Sequence, residues 1–390
     1  MLKLLHTADW HLGKKFPSFT KEAADTLMRS RLDVVDRILD LAVRERVHAV
    51  LCAGDLFDVP DPLPVWWKEL AHRLHRRAND TMPPVILVPG NHDPLTADSV
   101  WWPTHAFRAR LPEWVHIVDR DDFSFALCDG AVIFAAPCRT TAGQNDLAMA
   151  LPARAPGDAG LRIGCVHGST FDLKDWLMNF PIQRDAGERR GLDYLAIGDT
   201  HAFRDINADL PWPSIPTVYP GAPEPTAFDE KGAGNVAIVA MYAHGRRPIV
   251  VPQRVAYWTW REETCRSLTE LKGILALPDL ERHVLRLKLD FTVSIVEESE
   301  VDRILTLLRG TEAAHPRVGV LERVDTTNLR LVATDPDAFD ANLPPVVLDT
   351  VARLRKVAED AEDEADRARA TRAISHLYKL LQRVDTGAAP

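Results

Sequence analysis

Residues 4–13, LLHTADWHLG, set the pattern that decides the fold. An apolar run leads into the pair Asp9 and His11, and Gly13 then lets the backbone turn. Short apolar runs of this kind are typical of buried strands, and α/β sheets place their functional side chains beyond the carboxyl ends of the strands. The stretch therefore predicts a buried strand that delivers a functional loop.

The same arrangement recurs further along the chain, where apolar runs end in residues that can bind a metal. The five polar segments are residues 9–11 (DWH), 54–58 (GDLFD), 90–93 (GNHD), 167–168 (HG) and 198–201 (GDTH). A single Asp-x-His would be weak evidence, because a histidine beside an apolar run is usually structural. Five such segments in order predict one site built from several strand ends.

The chemistry of these side chains indicates a pair of metal ions. Asp and Asn supply hard oxygens and His supplies a borderline nitrogen, a mixture that suits Mn, Fe or Zn better than Ca or Mg. Two divalent ions a few ångströms apart need terminal ligands on each side and a carboxylate between them. We therefore expect two divalent metal ions, with Mn²⁺ the first choice.

The first 255 residues alternate apolar runs with helical patterns, which predicts an α/β domain over 1–255. Apolar residues at helical spacing predict helices over 21–46 and 65–78. After Pro252 the pattern changes, and strand, helix and strand signals predict a smaller α+β domain over 256–340. Residues 341–390 are mostly helix formers and predict C-terminal helices. Their apolar stripe, Ile374, Leu377, Leu380 and Leu381, packs either on its own domain or on another protein.

Composition excludes several classes of protein. With 46% hydrophobic residues in 390, the chain is not disordered, and a net charge of −9 argues against a basic footprint over the whole domain. No apolar run approaches the roughly 18 residues that a membrane span needs, and the N-terminus lacks a signal peptide's apolar core. We therefore expect a cytoplasmic protein without membrane contact. No nucleotide-binding loop motif occurs.

At these motifs the sequence resembles the calcineurin-like metallophosphoesterases, and specifically the Mre11/SbcD branch of DNA repair nucleases. The resemblance covers about residues 1–250 and includes YPGAPEPTAFDE at 219–230. It implies a metallophosphoesterase β-sandwich flanked by helices, with the α+β domain as a DNA cap. It also implies one metal held by Asp9, His11, Asp55 and His201, and a second held by Asp55, Asn91, His167 and Asp199.

The resemblance further implies a mechanism and partners. A metal-bridged hydroxide would attack the phosphodiester, His92 would face the phosphate and protonate the leaving oxygen, and Asp93 would orient His92. The expected function is exonuclease or endonuclease cleavage of DNA in repair or defence, together with a Rad50/SbcC-like SMC-type ATPase. Homodimerisation through the N-terminal half is implied too, and residues 341–390 would dock the ATPase.

Two positions depart from the pattern of this branch. Asp199 stands where the branch usually has His, which predicts tighter metal binding and a weaker pull on substrate charge, or else a changed coordination geometry. Asp58 stands where a His near the phosphate is usual, so we expect a catalytic position whose change affects the exonuclease mode most. The alternative for Asp58 is a cap on the next turn or helix.

Other functions and surfaces stay open at this point. A phosphodiesterase or phosphatase acting on small nucleotides or phosphoproteins would keep the metals, and a weakened DNA-end-binding scaffold would not need them for catalysis. The basic cluster at residues 72–77 is either a solvated helix face or a phosphate contact. Of the pairs Trp66-Trp67 and Trp101-Trp102, one member each is expected in the core, and the other at an interface or a base-stacking surface.

Overall fold

The computed structural model describes residues 1–77, 82–128, 130–171, 178–310, 318–332, 338–340 and 343–385. The chain divides into two compact units, Met1–Trp258 and Thr259–Pro390. The expected division at 255/256 and 340/341 stays a prediction. Residues 78, 341, 342 and 386–390, on which part of the predicted second helix and of the C-terminal segment falls, lie outside the described residues.

The first unit is built on two six-stranded mixed sheets. Its strands are β1 Leu2–Thr7, β2 Ala49–Cys52, β3 Val85–Leu87, β4 Val115–Ile117, β5 Phe123–Cys128, β6 Ala131–Ala135, β7 Leu161–His167, β8 Tyr194–Gly198, β9 Arg204–Asp205, β10 Thr217–Tyr219, β11 Asn235–Met241 and β12 Ile249–Arg254. The first sheet has the order β12-β11-β1-β2-β3-β4 and the second the order β5-β6-β7-β8-β10-β9. Parallel pairing runs from β1 to β4 and from β6 through β8 to β10.

The two sheets face each other across an apolar core, to which Leu4 and Leu51 of one sheet and Ile163 and Ala196 of the other contribute. Helices α1 (Lys21–Glu45) and α2 (Pro64–Arg76) cover the outer face of the first sheet, and the short α3 (Ala186–Arg190) lies on the second. Thr20 caps α1, since its hydroxyl accepts the N–H of Ala23. The predicted β-sandwich flanked by helices is confirmed.

The second unit has a three-stranded parallel sheet of order β13-β14-β16 and a two-stranded one, β15-β17. Its elements are β13 Thr259–Cys265, α4 Leu268–Ile274, β14 His283–Leu289, β15 Thr292–Ser294, α5 Ile295–Arg309, β16 Val320–Asp325, β17 Arg330–Val332, α6 Pro345–Asp360 and α7 Glu364–Asp385. A capping box of Ser294 and Glu297 starts α5, as its sequence demands. No described helix combines the length and apolarity that crossing a membrane requires.

The C-terminal stripe is partly used inside this unit. Ile374 on α7 is fully buried, and α7 contacts α5 through the ion pair of Lys379 Nζ and Glu298 Oε2 at 3.0 Å. Leu380 is 42% exposed. The buried part of the stripe therefore packs on its own unit, as one of the two alternatives predicted.

Candidate active site

The predicted ligands lie at the carboxyl ends of strands from both sheets of the first unit. Asp9 follows β1, Asp55 follows β2, Asn91 follows β3, His167 ends β7, and Asp199 follows β8. Because the two sheets are stacked with these ends together, residues up to 190 positions apart come within contact distance. The edge of the sandwich is thus the place where the sequence motifs meet.

The backbone at this edge is strained. Asp9, His11, Asp55 and Asp199 have φ values of 55°, 43°, 54° and 111°, in the region that side-chain-bearing residues rarely adopt. Each such residue costs on the order of 1–3 kcal/mol, and strain of this kind concentrates at functional sites. Four of the predicted ligands therefore combine metal-binding side chains with strained backbone.

Asp55 stands between two groups of side chains. Its Oδ1 accepts the backbone N–H of His92 at 2.9 Å, which fixes the carboxylate. Its Oδ2 lies 3.7 Å from Nε2 of His11 and 3.5 Å from Nε2 of His167. This oxygen is the atom best placed to bridge two ions.

The first group consists of Asp9, His11 and His201, whose ligand atoms lie within 4.8 Å of one another. Nε2 of His11 and Nε2 of His201 are 3.1 Å apart. The N–H of Asp199 donates to Asp9 Oδ1 at 3.1 Å, which ties the loop after β8 to the loop after β1. The group joins the two sheets.

The second group consists of Asn91, His167 and Asp199. Nε2 of His167 lies 2.7 Å from Oδ1 of Asn91 and 3.8 Å from Oδ1 of Asp199. The hydroxyl of Ser169 donates to Oδ2 of Asp199 at 2.5 Å and so orients the carboxylate. The structure thus brings together all seven residues predicted as ligands.

The residues fit two divalent ions. Each imidazole has an oxygen beside its Nδ1: Asp58 for His11 at 3.2 Å, Ala53 O for His167 at 2.8 Å and Glu230 for His201 at 2.5 Å. With Nδ1–H of His167 and His201 directed to these oxygens, their Nε2 lone pairs face inward, the arrangement usual for metal-binding histidines. Lone pairs 3.1 Å apart repel one another unless a cation lies between them. Metal–nitrogen bonds of about 2.1 Å place neighbouring ligand atoms about 3 Å apart.

The pKa shifts in the cluster indicate the same need for positive charge. Burial raises the pKa of Asp9 to about 7, although His201 and His167 oppose the shift. Asp55 and His167 shift each other's pKa in the direction that burial opposes. The Asp55 carboxylate raises the pKa of His167 to about 10, and His167 holds the pKa of Asp55 below its usual range. Burial lowers the pKa of His11 to about 4. A bound cation would take over the compensation that a proton on His167 otherwise provides.

His92 is the exposed member of the site, with 44% of its side chain accessible. Its ring meets the ring of His11 edge to face at 4.8 Å, and its Nδ1 lies 3.2 Å from the carbonyl oxygen of Asp58. Donation from Nδ1–H to that carbonyl leaves Nε2 free. His92 is therefore accessible to a ligand while its ring is oriented by the protein.

Asp58 lies behind His11. Its Oδ1 is 3.2 Å from Nδ1 of His11 and 3.5 Å from Nζ of Lys14. Burial opposes the shift, but His11 and Lys14 hold the pKa of Asp58 below its usual range. Of the alternative that Asp58 caps the next turn or helix, a cap on α2 is not seen, because α2 has Leu63 at its N-cap and no side-chain cap. The carboxylate instead supports a histidine of the first group.

Asp93 differs from its predicted role. Its carboxylate oxygens accept the N–H of Gly90 at 2.8 Å and the N–H of Phe57 at 2.9 Å, and the side chain is fully buried. A group shielded in this way does not touch substrate. Asp93 is thus a positioning residue that fastens the GNHD loop to the GDLFD loop, rather than the partner that orients His92.

Two glycines permit the close approach of these side chains. A Cβ on Gly54 would lie 2.1 Å from Nδ1 of His167, and a Cβ on Gly90 would lie 2.1 Å from Oδ1 of Asp55. Gly54 also has a φ of 99°. Glycine is required at both positions because any side chain would displace a predicted ligand.

Sequence reasoning missed Arg31. This buried residue of α1 donates from Nε to the carbonyl of Trp10 at 2.8 Å and from Nη2 to that of Asp9 at 3.2 Å. Its Nη1 donates to the carbonyl of Glu224 at 2.9 Å. The sequence did contain a signal for Arg31, because it falls four residues after Leu27 on the apolar stripe of α1. A charged residue at such a position is buried only when it has polar partners.

Glu230 was also missed, although it ends the segment 219–230 that contributes to the resemblance. Its Oε2 accepts the N–H of Thr226 at 2.6 Å, and its Oε1 accepts the hydroxyl of Thr226. Although burial alone would raise the pKa of Glu230, its contact with His201 lowers this pKa to about 2. A carboxylate 29 residues beyond the histidine that it contacts has no local sequence signal.

The basic cluster and the tryptophans are partly explained by the fold. Arg73 on α2 pairs with Asp33 and Asp36 of α1, and Arg77, the residue that follows α2, pairs with Asp36 as well. These arginines are thereby neutralised by α1, which favours the structural interpretation. Trp101 is buried and donates to the carbonyl of Asp93 at 2.5 Å, whereas Trp102 is 39% exposed.

Two facing sheets with this donor set at their strand ends could hold a pair of divalent ions at one edge. The sequence model of the calcineurin-like phosphoesterase family matches residues 2–203, more than half of the chain. The chain belongs to this family, which uses divalent metals.

Curated relatives show where similarity is concentrated. The chain is 29% identical over 245 residues to an uncharacterized metallophosphoesterase of Bacillus subtilis, YhaO, a match covering 59% of this chain and 55% of that protein. It is 32% identical over 93 residues to the DNA double-strand break repair protein Mre11 of Saccharolobus solfataricus, covering 24% of this chain and 23% of that protein. It is 34% identical over 92 residues to SbcD of the nuclease SbcCD from Escherichia coli K12, covering 24% of this chain and 21% of that protein. The chain thus spans about half or less of the length of these relatives.

Proposed function

We propose that the protein is a metal-dependent DNA nuclease of the Mre11/SbcD type that hydrolyses phosphodiester bonds at the edge of its sandwich. The observation that carries the proposal is the convergence of His11 Nε2 and His167 Nε2 on one oxygen of Asp55, with Nε2 of His201 3.1 Å from that of His11. The local similarity to Mre11 and SbcD supports DNA as the substrate.

In this proposal Asp9, His11, Asp55 and His201 hold one divalent ion, and Asp55, Asn91, His167 and Asp199 hold the other. When bound, the two ions supply activated water and neutralise charge on the phosphate. His92, exposed and oriented through its Nδ1, approaches the substrate and gives a proton to the leaving oxygen from Nε2. Asp58 supports His11 through its carboxylate and His92 through its carbonyl oxygen. Asp93 fastens the two loops to each other.

The nature of the ion and the partners belong to the same proposal. The donor set favours Mn²⁺, as the sequence predicted. By similarity to Mre11 and SbcD, the nuclease would act in repair or defence in the cytoplasm with a Rad50/SbcC-like ATPase, residues 256–340 forming a DNA-capping domain and residues 341–390 docking the partner. Homodimerisation would use the exposed Leu63 and Val65 at the start of α2, which are 64% and 57% accessible.

A second candidate is a phosphodiesterase that acts on small nucleotides. The ion-paired arginines of α2 and the net charge of −9 favour it, because a DNA-binding face draws on unpaired cations. This candidate uses the same residues in the same roles. It differs only in the substrate, which would be a small nucleotide instead of a DNA strand.

Cleavage assays separate these functions. The purified protein is incubated with Mn²⁺ and labelled linear duplex, circular single-stranded DNA or bis-p-nitrophenyl phosphate, with Asp55→Asn as the matched inactive variant. Cutting of DNA that Asp55→Asn loses supports the nuclease, and cutting of circles identifies an endonuclease mode. Hydrolysis of the small ester alone, with and without an SMC-like ATPase, would overturn DNA as substrate, and no hydrolysis of either would leave a scaffold.

A further inference from the structure

The two metal positions of this chain are built from unequal parts. The first group offers two imidazoles and the Asp9 carboxylate, whereas the second offers one imidazole, the neutral amide of Asn91 and the Asp199 carboxylate, with Asp55 shared. An imidazole is a stronger ligand for transition metals than an amide oxygen. On donors alone, the first position is the stronger one.

The support behind each imidazole increases this difference. Nδ1 of His201 meets a carboxylate oxygen of Glu230 at 2.5 Å, and Nδ1 of His11 lies 3.2 Å from one of Asp58. Nδ1 of His167 meets only the carbonyl oxygen of Ala53, at 2.8 Å. A carboxylate behind a histidine makes the opposite nitrogen more basic and fixes its tautomer, and losing it typically weakens metal binding about 10- to 100-fold.

Glu230 is the better anchored of the two supporting carboxylates. Thr226 donates to it from both its backbone N–H and its hydroxyl, so the carboxylate is fixed before any ion binds. Asp58 is shared between His11 and Lys14, whose Nζ lies 3.5 Å away, and this draws charge from the histidine. We therefore rank the contribution of Glu230 above that of Asp58.

We propose that Glu230 is a positioning residue that makes the two metal positions unequal. Thr226 anchors it, and Asp58 assists it. The position formed by Asp9, His11 and His201 therefore fills first and holds its ion more tightly. The second position, around Asn91 and His167, fills at higher metal concentration and exchanges readily. This inference rests on the two-metal site of the proposed function but not on DNA being the substrate.

The proposal is tested by titrating the metal-free 390-residue chain with Mn²⁺. Binding is measured both by calorimetry and by the electron paramagnetic resonance signal of free Mn²⁺. Wild type should bind two ions in two separate steps. Glu230→Gln should weaken the tighter step about 10- to 100-fold and affect the weaker step much less. Asn91→Ala should weaken only the weaker step. Glu113→Gln, at an exposed glutamate of the same unit, is the matched control and should leave both steps unchanged.

Thr226→Val distinguishes a specific effect on metal binding from a folding defect. It keeps the Glu230 carboxylate but removes the hydroxyl that donates to it, so it should weaken the same tighter step by a smaller factor than Glu230→Gln. Two equal steps in wild type, or an equal loss from both steps in Glu230→Gln, would overturn the inference and leave the two-metal site standing. No Mn²⁺ binding by wild type would overturn both.

Discussion

Arg31 shows how much of the site depends on a residue outside it. Its guanidinium binds the carbonyls of Asp9, Trp10 and Glu224 within an otherwise apolar face of α1. Burial lowers its pKa, although Glu224 and other carboxylates oppose this. The loop after β1 can adopt left-handed backbone at Asp9 and His11 because these carbonyls are satisfied by one rigid group.

We expect Arg31→Met to destabilise the protein by about 3 kcal/mol, because several buried carbonyls lose their donors at once. Urea unfolding of the metal-free protein measures this loss. Mn²⁺ affinity should fall as well, because the Asp9 loop is no longer held. Arg29→Met, at an exposed arginine on the same helix, should change the free energy of unfolding by less than about 0.5 kcal/mol. Equal effects of the two changes would contradict the assigned role.

His6 gives a pH dependence that does not involve the predicted ligands. It lies in β1, its Nδ1 is 2.9 Å from Oη of Tyr194, and burial lowers its pKa from 6.5 to about 3. The unfolded chain binds a proton at His6 below pH 6.5, whereas the folded chain does not until about pH 3. The stability that comes from burying the neutral ring is thus present above pH 6.5 and is lost as the pH falls towards 3.

We expect His6→Asn, which keeps a partner for Tyr194 but does not titrate, to remove this dependence. The difference in unfolding free energy between wild type and variant should change by about 1.4 kcal/mol per pH unit between about pH 6 and 4, with wild type losing stability on acidification. Unfolding in urea at each pH measures it. His72→Asn, at an exposed histidine of α2, should leave the dependence as in wild type. A constant difference across the range would refute the assignment.

At the scale of elements, the buried parallel strands were the predictable part. β1, β2, β3, β6, β7 and β8 are buried along most of their length, and each contains a short apolar run of the kind that predicts a buried strand. The strands without such a signal are short or exposed: β9 has two residues, and β12 is exposed along most of its length. Pairing with a neighbour, rather than a local pattern, creates these strands.

The C-terminal helices show the same limit. Residues 346–384 lack glycine and proline and predict helices, but no glycine or proline marks where one helix ends; α6 ends where Ala361 adopts an extended ψ of 133°. Asp363 then accepts the N–H of Ala365 at 2.9 Å as α7 begins. The site follows this rule too: the motif residues are visible in local patterns, whereas Glu230 and the contacts of Asp93 depend on distant parts of the chain.

The packing of α7 on its own unit can be measured. Ile374→Ala should destabilise the second unit by about 3 kcal/mol, because a fully buried side chain is replaced by a cavity. Hydrogen exchange of α7 and α5 amides should accelerate together, since Lys379 and Glu298 join these helices. Leu380→Ala, at a 42% exposed position of the same helix, should cost less than about 1 kcal/mol. Similar exchange in both variants would show that α7 does not depend on this contact.

At the scale of the whole molecule, the site couples the two sheets of the first unit. Asp9 and Asp55 come from one sheet and His167 and Asp199 from the other, and their charges lie within a few ångströms of one another. Repulsion between these carboxylates and backbone strain are therefore concentrated at one edge of the sandwich. An ion bound there would relieve the repulsion, and its binding free energy would offset the strain.

Metal binding should accordingly stabilise the first unit and leave the second unchanged. A ligand present at about 100 times its dissociation constant adds about 2.7 kcal/mol to the free energy of unfolding, and an unfolded chain cannot assemble five separate loops around an ion. Thermal unfolding, followed by hydrogen exchange in each unit, should show protection of β1, β2, β7 and β8 on addition of Mn²⁺ and its loss on chelation. Asp55→Asn should lose most of this gain because the shared ligand of both positions is weakened. Equal protection of β13 and β14 would mean that the ions act on the chain in general rather than at this edge.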